Sequence, residues 1–505
     1  MINKAFILIP NYKSYKWAFS EIAHVSLLKR AIFSGQKAGI NEFFILISGK
    51  NKSEIERSLS MDKRIRAEIN IIDFLERTEE EVFTDIVSNL SQNYLIIKAN
   101  TVFDNRLLQE FSQFNLKDAM AAISVYKDKN ISPKKEFTQY RAENHPFSPP
   151  LQGGERGEVI KSNKAELSSR RIPLDIEQLH KKHGEWYVKL SDNNELLAIS
   201  QMLENYDGRA AGMVLASPKI IEILIENLSR DTSFSLYKLM ELQVKDGNIL
   251  AFDVKDNLCM EVISNLQLKE CERKLYNSLG ASVDGPIVDK YINRKISRLI
   301  TEQLVKTPIT PNQTTFLSLM IGIVSAWFFW QGGYWNYLAG GLVFQLSFIF
   351  DQCDGEIARL KFMESKIGGW FDAFCDSIIR TFIILGMTGS LYAESNQSLV
   401  LILGIISSIG IFVSTMAGSY ETFKKEESID YTNKESTDAS IEKGNKLSAF
   451  IDKFNNTDSF SIIIFICILS GQLVWFLWTI GIGSFGFTLV ILVKSLISKL
   501  AHVGR

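Results

Sequence analysis

The feature that most constrains the fold is a series of apolar segments after Lys306, each long enough to cross a lipid bilayer as a helix. Six such segments can be counted, at residues 313–331, 334–352, 367–391, 397–419, 458–472 and 475–493. A helix satisfies its own backbone hydrogen bonds, and about 20 apolar residues cover the hydrocarbon thickness. The sequence therefore predicts an all-α C-terminal domain of six transmembrane helices, in which Gly471 and Gln472 mark the turn between the last two.

Basic residues between these segments predict the orientation of the domain. Lys and Arg cluster before the first segment and after the second, fourth and sixth, as at Arg359, Lys424 and Lys494, whereas residues 332–336 and 394–397 carry none. Loops rich in Lys and Arg stay on the cytoplasmic side of a membrane. We therefore expect a multi-pass protein of the inner (cytoplasmic) membrane with both termini in the cytoplasm.

The first half of the chain, residues 1–268, has a different pattern, in which short apolar runs alternate with helical spacing. The runs of strand length are Phe6–Ile9, Phe43–Ser48, Tyr94–Lys98 and Gly212–Ala216, and Ser26–Lys37 has helical spacing. This alternation predicts an α/β, Rossmann-like domain with a mostly parallel sheet. The first ten residues lack the cleavage site of a signal peptide, so we expect this domain in the cytosol.

Charge and cysteine usage exclude several classes of partner. The formal net charge is −1, so nothing in the charge balance points to a nucleic acid as partner. The five cysteines show no CxxC spacing and do not pair with the histidines at zinc-ligand distances along the chain. Neither a disulfide framework nor a structural zinc site is expected.

Two further segments have patterns of their own, the linker between the two halves and an insertion within the first half. Residues 269–312 form a linker to the membrane domain, residues 313–505, and within it Asp284–Lys306 has apolar residues largely on one helical face. This predicts a basic amphipathic helix at the cytoplasmic membrane surface, with a soluble linker helix as the alternative. Residues 145–158, rich in Pro and Gly, predict a surface insertion, with a nucleotide-binding lid as the alternative.

The strongest local feature is a group of aspartates at the ends of two consecutive membrane segments. Asp351 and Asp354 are three residues apart, which places both carboxylates on one helical face, and Asp372 and Asp376 are four apart on the next helix. If the two helices pack as neighbours, four carboxylates converge.

Carboxylates so placed repel one another unless cations neutralise them. Oxygen ligands select hard ions, so the pattern predicts two ions of Mg²⁺ or Mn²⁺, which can together clamp a pyrophosphate. The alternatives are aspartates that only flank membrane helices, and a transporter whose intramembrane carboxylates bind and move a cation.

The stretch from Asp351 to Asp376 reads D-x2-D-G-x2-A-R-x8-G-x3-D-x3-D. In this pattern the chain resembles the CDP-alcohol phosphotransferase (phosphatidyltransferase) family, and the resemblance extends over residues 284–505, including TPITPNQTT before the first membrane segment. It implies a six-helix membrane fold, CMP as leaving group and Asp376 as the general base. The implied metal ligands are Asp351, Asp354, Asp372 and Asp376, and the implied CDP-binding residues are Asp354, Gly355, Ala358, Arg359 and Gly368.

The same resemblance implies the partners of the protein. The donor would be a CDP-alcohol and the acceptor an alcohol or an inositol phosphate, so that the product is a phospholipid or an inositol-phosphate phosphodiester. A membrane lipid and a second copy of the chain, in a homodimer, are further expected partners.

The order of the two domains is similar to that of a group of fused enzymes that join an inositol-1-phosphate cytidylyltransferase to a di-inositol-phosphate phosphate synthase. The N-terminal domain departs from what nucleotidyl transfer needs. No glycine occurs in PNYKSYK after the first strand, Asn100 stands where a metal-binding aspartate is expected, and Ile263 follows Glu261 in the second acidic region. We therefore expect a nucleotidyltransferase-like domain that has lost cytidylyl transfer, the alternative being a bifunctional enzyme with an active domain.

Overall fold

The computed structural model describes most of the chain in ordered elements that fall into two compact units. The described residues are 2–9, 12–47, 51–73, 92–116, 119–127, 185–203, 205–230, 235–244, 249–279, 293–428, 457–483 and 486. The units are Met1–Leu275 and Tyr276–Arg505. The predicted insertion at residues 145–158 and the first part of the predicted amphipathic helix, residues 284–292, lie outside the described residues.

The first unit is built on a nine-stranded sheet in the order β10-β9-β11-β6-β1-β4-β5, with β8 paired to β11 and β12 paired to β8. Its strands are β1 Lys4–Ile9, β4 Glu42–Ile47, β5 Glu68–Asp73, β6 Tyr94–Lys98, β8 Ala121–Lys127, β9 Tyr187–Leu190, β10 Leu196–Ser200, β11 Gly208–Ala216 and β12 Ile249–Asp253. Two small pairs accompany it, β2 Glu21–Ile22 with β3 Val25–Ser26, and β7 Thr101–Phe103 with β13 Cys259–Glu261.

The direction of the strands differs from the prediction of a mostly parallel sheet. Strands β6, β1, β4 and β5 are parallel, with Ile7 paired to Ile45 and Ile97, but β11 runs antiparallel to β6, β8 and β9. The sheet is mixed, and the prediction was wrong in this respect. Apolar runs predict buried strands without their direction, since direction depends on how the connections cross the sheet.

Alternating residues of the strands place a hydrophobic core on each face of this sheet. Phe6 and Leu8 belong to one core and Ile7 and Ile9 to the other, as the period of two in a strand requires. The flanking helices are α1 Tyr12–Ala18, α2 Leu27–Lys37, α3 Lys52–Ser60, α4 Asn105–Ser112, α5 Pro218–Arg230, α6 Leu236–Gln243 and α7 Asn265–Ser278. The predicted α/β class of this unit is therefore confirmed.

The second unit is helical throughout its described residues. Its helices are α8 Arg294–Leu304, α9 Pro311–Gln331, α10 Tyr334–Lys361, α11 Lys366–Ser395, α12 Ser398–Ser428, α13 Thr457–Leu469 and α14 Leu473–Gly483. Among these described helices, three are long and apolar enough to cross a membrane, over Pro311–Gln331, Lys366–Ser395 and Ser398–Tyr420. The all-α class is confirmed, whereas the count of six transmembrane helices stays a prediction.

Helix α9 lies against both α10 and α11. Glycine permits the closest of these approaches, because a Cβ atom on Gly386 would lie 2.6 Å from the backbone oxygen of Ala326. A Cβ atom on Gly322 would similarly meet the side chain of Ile379 at 2.6 Å. Small residues at such crossings allow membrane helices to gain dispersion energy from close packing.

Candidate active site

A short turn brings the two aspartate-bearing helices together. Helix α10 ends at Phe362, whose φ of 53° is left-handed, and Ser365 caps the start of α11 by accepting a hydrogen bond from the Gly368 N–H at 3.0 Å. The turn leaves few residues between the two helices, and both then pack on α9. The aspartate side chains of the C-terminal half of α10 and of the first turns of α11 can therefore meet.

Three of the four predicted metal ligands meet in this arrangement. Asp351 and Asp354 from α10 and Asp372 from α11 each offer a carboxylate oxygen, and these oxygens all lie within 4.8 Å of one another. The Oδ1 atom of Asp372 is buried and has no hydrogen-bond partner among the described residues. An oxygen-only donor set with an unsatisfied buried oxygen fits a hard divalent cation, since three carboxylates this close repel one another without one.

The fourth predicted ligand, Asp376, lies one turn beyond Asp372 and makes a different contact. Its Oδ2 atom accepts a hydrogen bond from Nη2 of Arg380 at 2.7 Å, and the Arg380 side chain is only 5% exposed. The two residues are one helical turn apart, the spacing at which opposite charges on a helix meet. Arg380 was missed in the sequence analysis, although a basic residue four positions after Asp376 in an apolar helix was the available signal.

A residue of α9 also reaches the cluster. The hydroxyl group of Thr315 donates a hydrogen bond to Oδ2 of Asp354, which is 7% exposed. Thr315 ends the TPITPNQTT stretch, where Thr310 and Gln313 form a capping box and Pro311 is the first helical residue. These features begin α9 at a defined residue and so place Thr315 against Asp354.

The remaining residues of the predicted CDP-binding set lie along the same two helices. A Cβ atom on Gly355 would meet only Nη1 of Arg359, at 3.6 Å, so no helix among the described residues packs against Gly355. Ala358 is half-buried and Arg359 is exposed on α10. Gly368, in the first turn of α11, lies close to Ser365 and Asn312. The backbone at Gly355 is therefore open to a ligand, while that at Gly368 is part of the turn.

Helix α8 is fixed to the aspartate-bearing helix by a buried carboxylate that the sequence analysis did not single out. Glu356 is 3% exposed, and its two carboxylate oxygens accept hydrogen bonds from Ser297 at 3.0 Å and Thr301 at 2.6 Å. Lys361 donates to the backbone oxygens of Thr307 at 2.7 Å and Ile309 at 2.8 Å. The linker is thus tied to α10 on both sides of Arg359.

Glu356→Ala is expected to loosen α8 and destabilise the second unit. The change leaves two buried hydroxyl groups without their acceptor and removes charge-assisted hydrogen bonds, at a cost of about 2 kcal/mol. A thermal melt of the full-length protein in detergent should show a midpoint lower by roughly 4–8 °C. Gln303→Ala, at an exposed position of the same helix, is the control and should leave the midpoint unchanged. Equal midpoints for both variants would show that these contacts do not hold α8.

In the first unit, Asn100 and Ile263 are the two residues that differ from those expected in a nucleotidyltransferase site, and they lie close together. Asn100 donates from Nδ2 to Glu261 at 3.3 Å and to the backbone oxygen of Val262 at 2.8 Å. Ile263 contributes only its backbone N–H, to Gln267 at 2.9 Å. After β1, the described residues from Tyr12 form helix α1.

The sequence matches a known family over part of its length. Residues 308–482 match the model of the CDP-alcohol phosphatidyltransferase family. The chain is similar to the bifunctional IPC transferase and DIPP synthase of Aquifex aeolicus (strain VF5), with 28% identity over 181 residues, which are 36% of this chain and 40% of that protein. It is also similar to the protein of the same name from Archaeoglobus fulgidus, with 32% identity over 142 residues, 28% of each chain.

The chain is also similar to another curated protein and to a solved structure. Cholinephosphotransferase 1 of Gallus gallus is 30% identical over 132 residues, 25% of this chain and 38% of that protein. The solved inositol-1-phosphate CTP transferase from T. maritima has 16% identity and a TM-score of 0.36, covering 54% of this chain and 96% of that one. The matched segments thus span less than half the length of these curated relatives, from 28% to 40%.

Proposed function

We propose, on the premise that residues 308–482 match the CDP-alcohol phosphatidyltransferase family, that this protein is a membrane enzyme of CDP-alcohol chemistry. It transfers a substituted phosphate group from a CDP-alcohol to the hydroxyl group of an acceptor and releases CMP. The observation that carries the proposal is the meeting of Asp351, Asp354 and Asp372 within 4.8 Å, with Asp376 one turn away. Three apolar helices of membrane-spanning length support a membrane location.

The donor set is proposed to hold two ions of Mg²⁺ or Mn²⁺ through Asp351, Asp354, Asp372 and Asp376. Bound there, such ions would supply charge neutralisation for the pyrophosphate and for the departing CMP. Thr315, which donates to Asp354, orients that carboxylate toward the cluster. Outer groups of this kind hold ligands in the geometry that a metal requires.

The chain's own residues then position and deprotonate the acceptor. The acceptor oxygen forms the new bond to the phosphorus that carries the donor's alcohol, the bond from that phosphorus to the CMP oxygen breaks, and Asp376 takes the hydroxyl proton. Arg380, bound to Asp376, is proposed to hold its carboxylate in one orientation. Arg359, exposed one turn beyond Gly355, is proposed to bind a phosphate oxygen of the donor.

A cation transporter is the alternative from another class, and the helices argue against it. Transporters that bind ions near the bilayer midplane place the site on discontinuous helices. Helices α10 and α11 are continuous over Tyr334–Lys361 and Lys366–Ser395, with the aspartates toward the turn that joins them. Unbroken helices with carboxylates near their ends favour the transferase.

The substrates come in two classes that the relatives suggest. The names of the relatives from Aquifex aeolicus and Archaeoglobus fulgidus support an inositol-phosphate phosphodiester as product, and the cholinephosphotransferase supports a phospholipid. The test is CMP release by the full-length protein with Mg²⁺, with CDP-inositol or CDP-diacylglycerol offered against inositol 1-phosphate, glycerol 3-phosphate and inositol. Turnover with CDP-inositol establishes the first class, turnover only with CDP-diacylglycerol the second, and none with either donor contradicts the proposal.

The proposal extends to topology and assembly. The protein is proposed to cross the inner membrane several times with both termini in the cytoplasm and to form a homodimer, with CDP bound by Asp354, Gly355, Ala358, Arg359 and Gly368. The domains are proposed to be residues 1–268, the linker 269–312 and the membrane domain 313–505.

Gly355→Ala is expected to weaken donor binding without disturbing the fold. The added methyl group meets only Nη1 of Arg359, at an ordinary distance of 3.6 Å, but it occupies the open backbone where the donor is proposed to approach. The KM for the CDP-alcohol should rise about tenfold, which corresponds to about 1.4 kcal/mol. Gly386→Ala is the contrasting control, since its methyl group would meet backbone at 2.6 Å and should lower stability instead. An unchanged KM in Gly355→Ala would remove this residue from the proposed site.

The first unit is proposed to have lost cytidylyl transfer. Asn100 binds a divalent cation more weakly than an aspartate would, because its side chain carries no negative charge. The described residues after β1 form helix α1. The full-length protein is expected to form no CDP-alcohol from CTP and an alcohol phosphate, measured as pyrophosphate release. Release of pyrophosphate that depends on both CTP and the alcohol phosphate would instead support a bifunctional enzyme.

A further inference from the structure

The first unit contains a compact polar cluster at the end of β6 that the proposed reaction does not use. Lys98, the last residue of β6, forms an ion pair with Oε1 of Glu261, the last residue of β13. Its ammonium group also lies 4.5 Å from the centre of the Tyr237 ring, and the Tyr237 hydroxyl donates to Oε2 of Glu261 at 2.9 Å. The side chains of Lys98 and Glu261 are only 16% and 11% exposed. One cation and one carboxylate therefore balance each other in a largely desolvated place.

Asn100 completes the cluster, and only one of its two side-chain polar atoms has hydrogen-bond partners among the described residues. Its Nδ2 atom donates to Oε1 of Glu261 and to the backbone of Val262, while its Oδ1 atom is buried with no hydrogen-bond partner among the described residues. Glu261 thus receives Lys98 and Asn100 on one oxygen and Tyr237 on the other. Among the described residues, Oδ1 of Asn100 is the only polar side-chain atom of the cluster without a hydrogen-bond partner. In an aspartate at this position, the same atom would be a carboxylate oxygen.

The groups present do not fit a divalent cation. Hard divalent ions bind several carboxylate oxygens, and here a single carboxylate is already neutralised by an ammonium group. A second cation at about 4 Å from that ammonium group would be repelled by about 4 kcal/mol per unit charge at the effective dielectric constant of such sites. The phenol of Tyr237 stays a neutral donor, because burial, and then the neighbouring Glu261, raise its pKa well above the ordinary value.

We propose that Lys98 is a built-in replacement for the divalent cation of a nucleotidyl-transfer site, so that the first unit keeps the architecture of such a site but is independent of metal. The inference rests on the proposed loss of cytidylyl transfer and adds its physical cause. Two features define this state: Asn100 stands where a metal-binding aspartate is expected, and Lys98 supplies the positive charge that Glu261 needs. Replacing both residues should create a metal site, whereas replacing one should not.

The test is the number of Mn²⁺ ions bound per full-length chain, measured by electron paramagnetic resonance on the free ion. Wild type and Glu261→Gln should bind the same number, since Glu261 binds no metal in the wild type. The double variant Lys98→Met with Asn100→Asp should bind one additional Mn²⁺, and Glu261→Gln in that background should abolish the gain. Asn100→Asp alone, which keeps Lys98, should gain none. CMP release should be unchanged in all these variants, because the proposed site of that reaction lies in the second unit.

Two results would overturn the inference. One is a loss of bound Mn²⁺ in Glu261→Gln relative to wild type, a comparison that does not depend on the folding of any Lys98 variant. The other is a double variant that melts at the same temperature as the wild type and binds no additional Mn²⁺. Pyrophosphate release from CTP by the wild type would show that the first unit still transfers a cytidylyl group, which contradicts the proposed function rather than the role of Lys98. If the wild type releases no pyrophosphate and Glu261→Gln binds less Mn²⁺ than the wild type, only the proposed role of Lys98 is overturned, and the proposed loss of cytidylyl transfer stands.

Discussion

Asp376→Asn is expected to lower CMP release by about 10²- to 10⁴-fold, the usual contribution of a positioned general base. Asparagine has nearly the shape of aspartate and its oxygen can still accept the hydrogen bond from Arg380, so the helix packing should persist. What it lacks is the ability to take the proton of the acceptor hydroxyl group. The loss should appear mainly in kcat, because Asp376 is proposed to act on the acceptor proton in the transition state.

Arg380→Lys provides a companion measurement for the same site. Lysine keeps the charge near Asp376 but not the planar guanidinium geometry, so activity should fall less than in Asp376→Asn. Both variants should elute as folded protein in size-exclusion chromatography and insert into membranes as the wild type does. Full activity in Asp376→Asn would refute Asp376 both as the base and as a metal ligand, and would leave Asp351, Asp354 and Asp372 as the proposed ligands.

Asp372→Asn is expected to have the second large effect, on the metal. Asp372 has a buried oxygen without a hydrogen-bond partner among the described residues and lies within 4.8 Å of the ligand oxygens of Asp351 and Asp354. The Mg²⁺ concentration needed for half-maximal CMP release should rise by at least about 100-fold, since even groups outside the direct ligands affect metal affinity 10- to 100-fold. Chelation should abolish activity in the wild type, and added Mg²⁺ or Mn²⁺ should restore it.

Glu364→Gln is the matched control for that variant. Glu364 is an exposed carboxylate in the turn between α10 and α11, at a variable position of the motif between Arg359 and Gly368. Its removal should leave the Mg²⁺ requirement unchanged. An unaltered requirement in Asp372→Asn, or activity that survives chelation, would contradict the proposed metal site.

The aspartates show how far a sequence pattern can predict a site. Spacings of three and four residues on a helix put side chains on one face, so the pairing of Asp351 with Asp354 could be inferred from local geometry alone. That Asp372 of α11 meets Asp351 and Asp354 of α10 depends on the turn at Phe362 and on α9, against which both helices pack. The contact of Asp376 with Arg380 is local as well, because the two residues are one helical turn apart.

The contacts that join distant parts of the chain could not be predicted in this way. Glu356 meets Ser297 and Thr301 across 55 or more residues, and Lys98 meets Glu261 across 163. No periodicity links such positions, since each pairing exists only after strands or helices have packed. The direction of β11 in the sheet belongs to the same class.

By itself, the sequence determined the division into an α/β half and a helical membrane half, the class of the C-terminal domain, and the positions of the acidic motif. These properties follow from composition, from apolar periodicity and from fixed spacings within single helices, all of which are local. Only the tertiary structure decided which carboxylates of the two helices meet and that Lys98 neutralises Glu261. Electrostatic pairing depends on distances across the fold and on burial, and both are set when the elements pack.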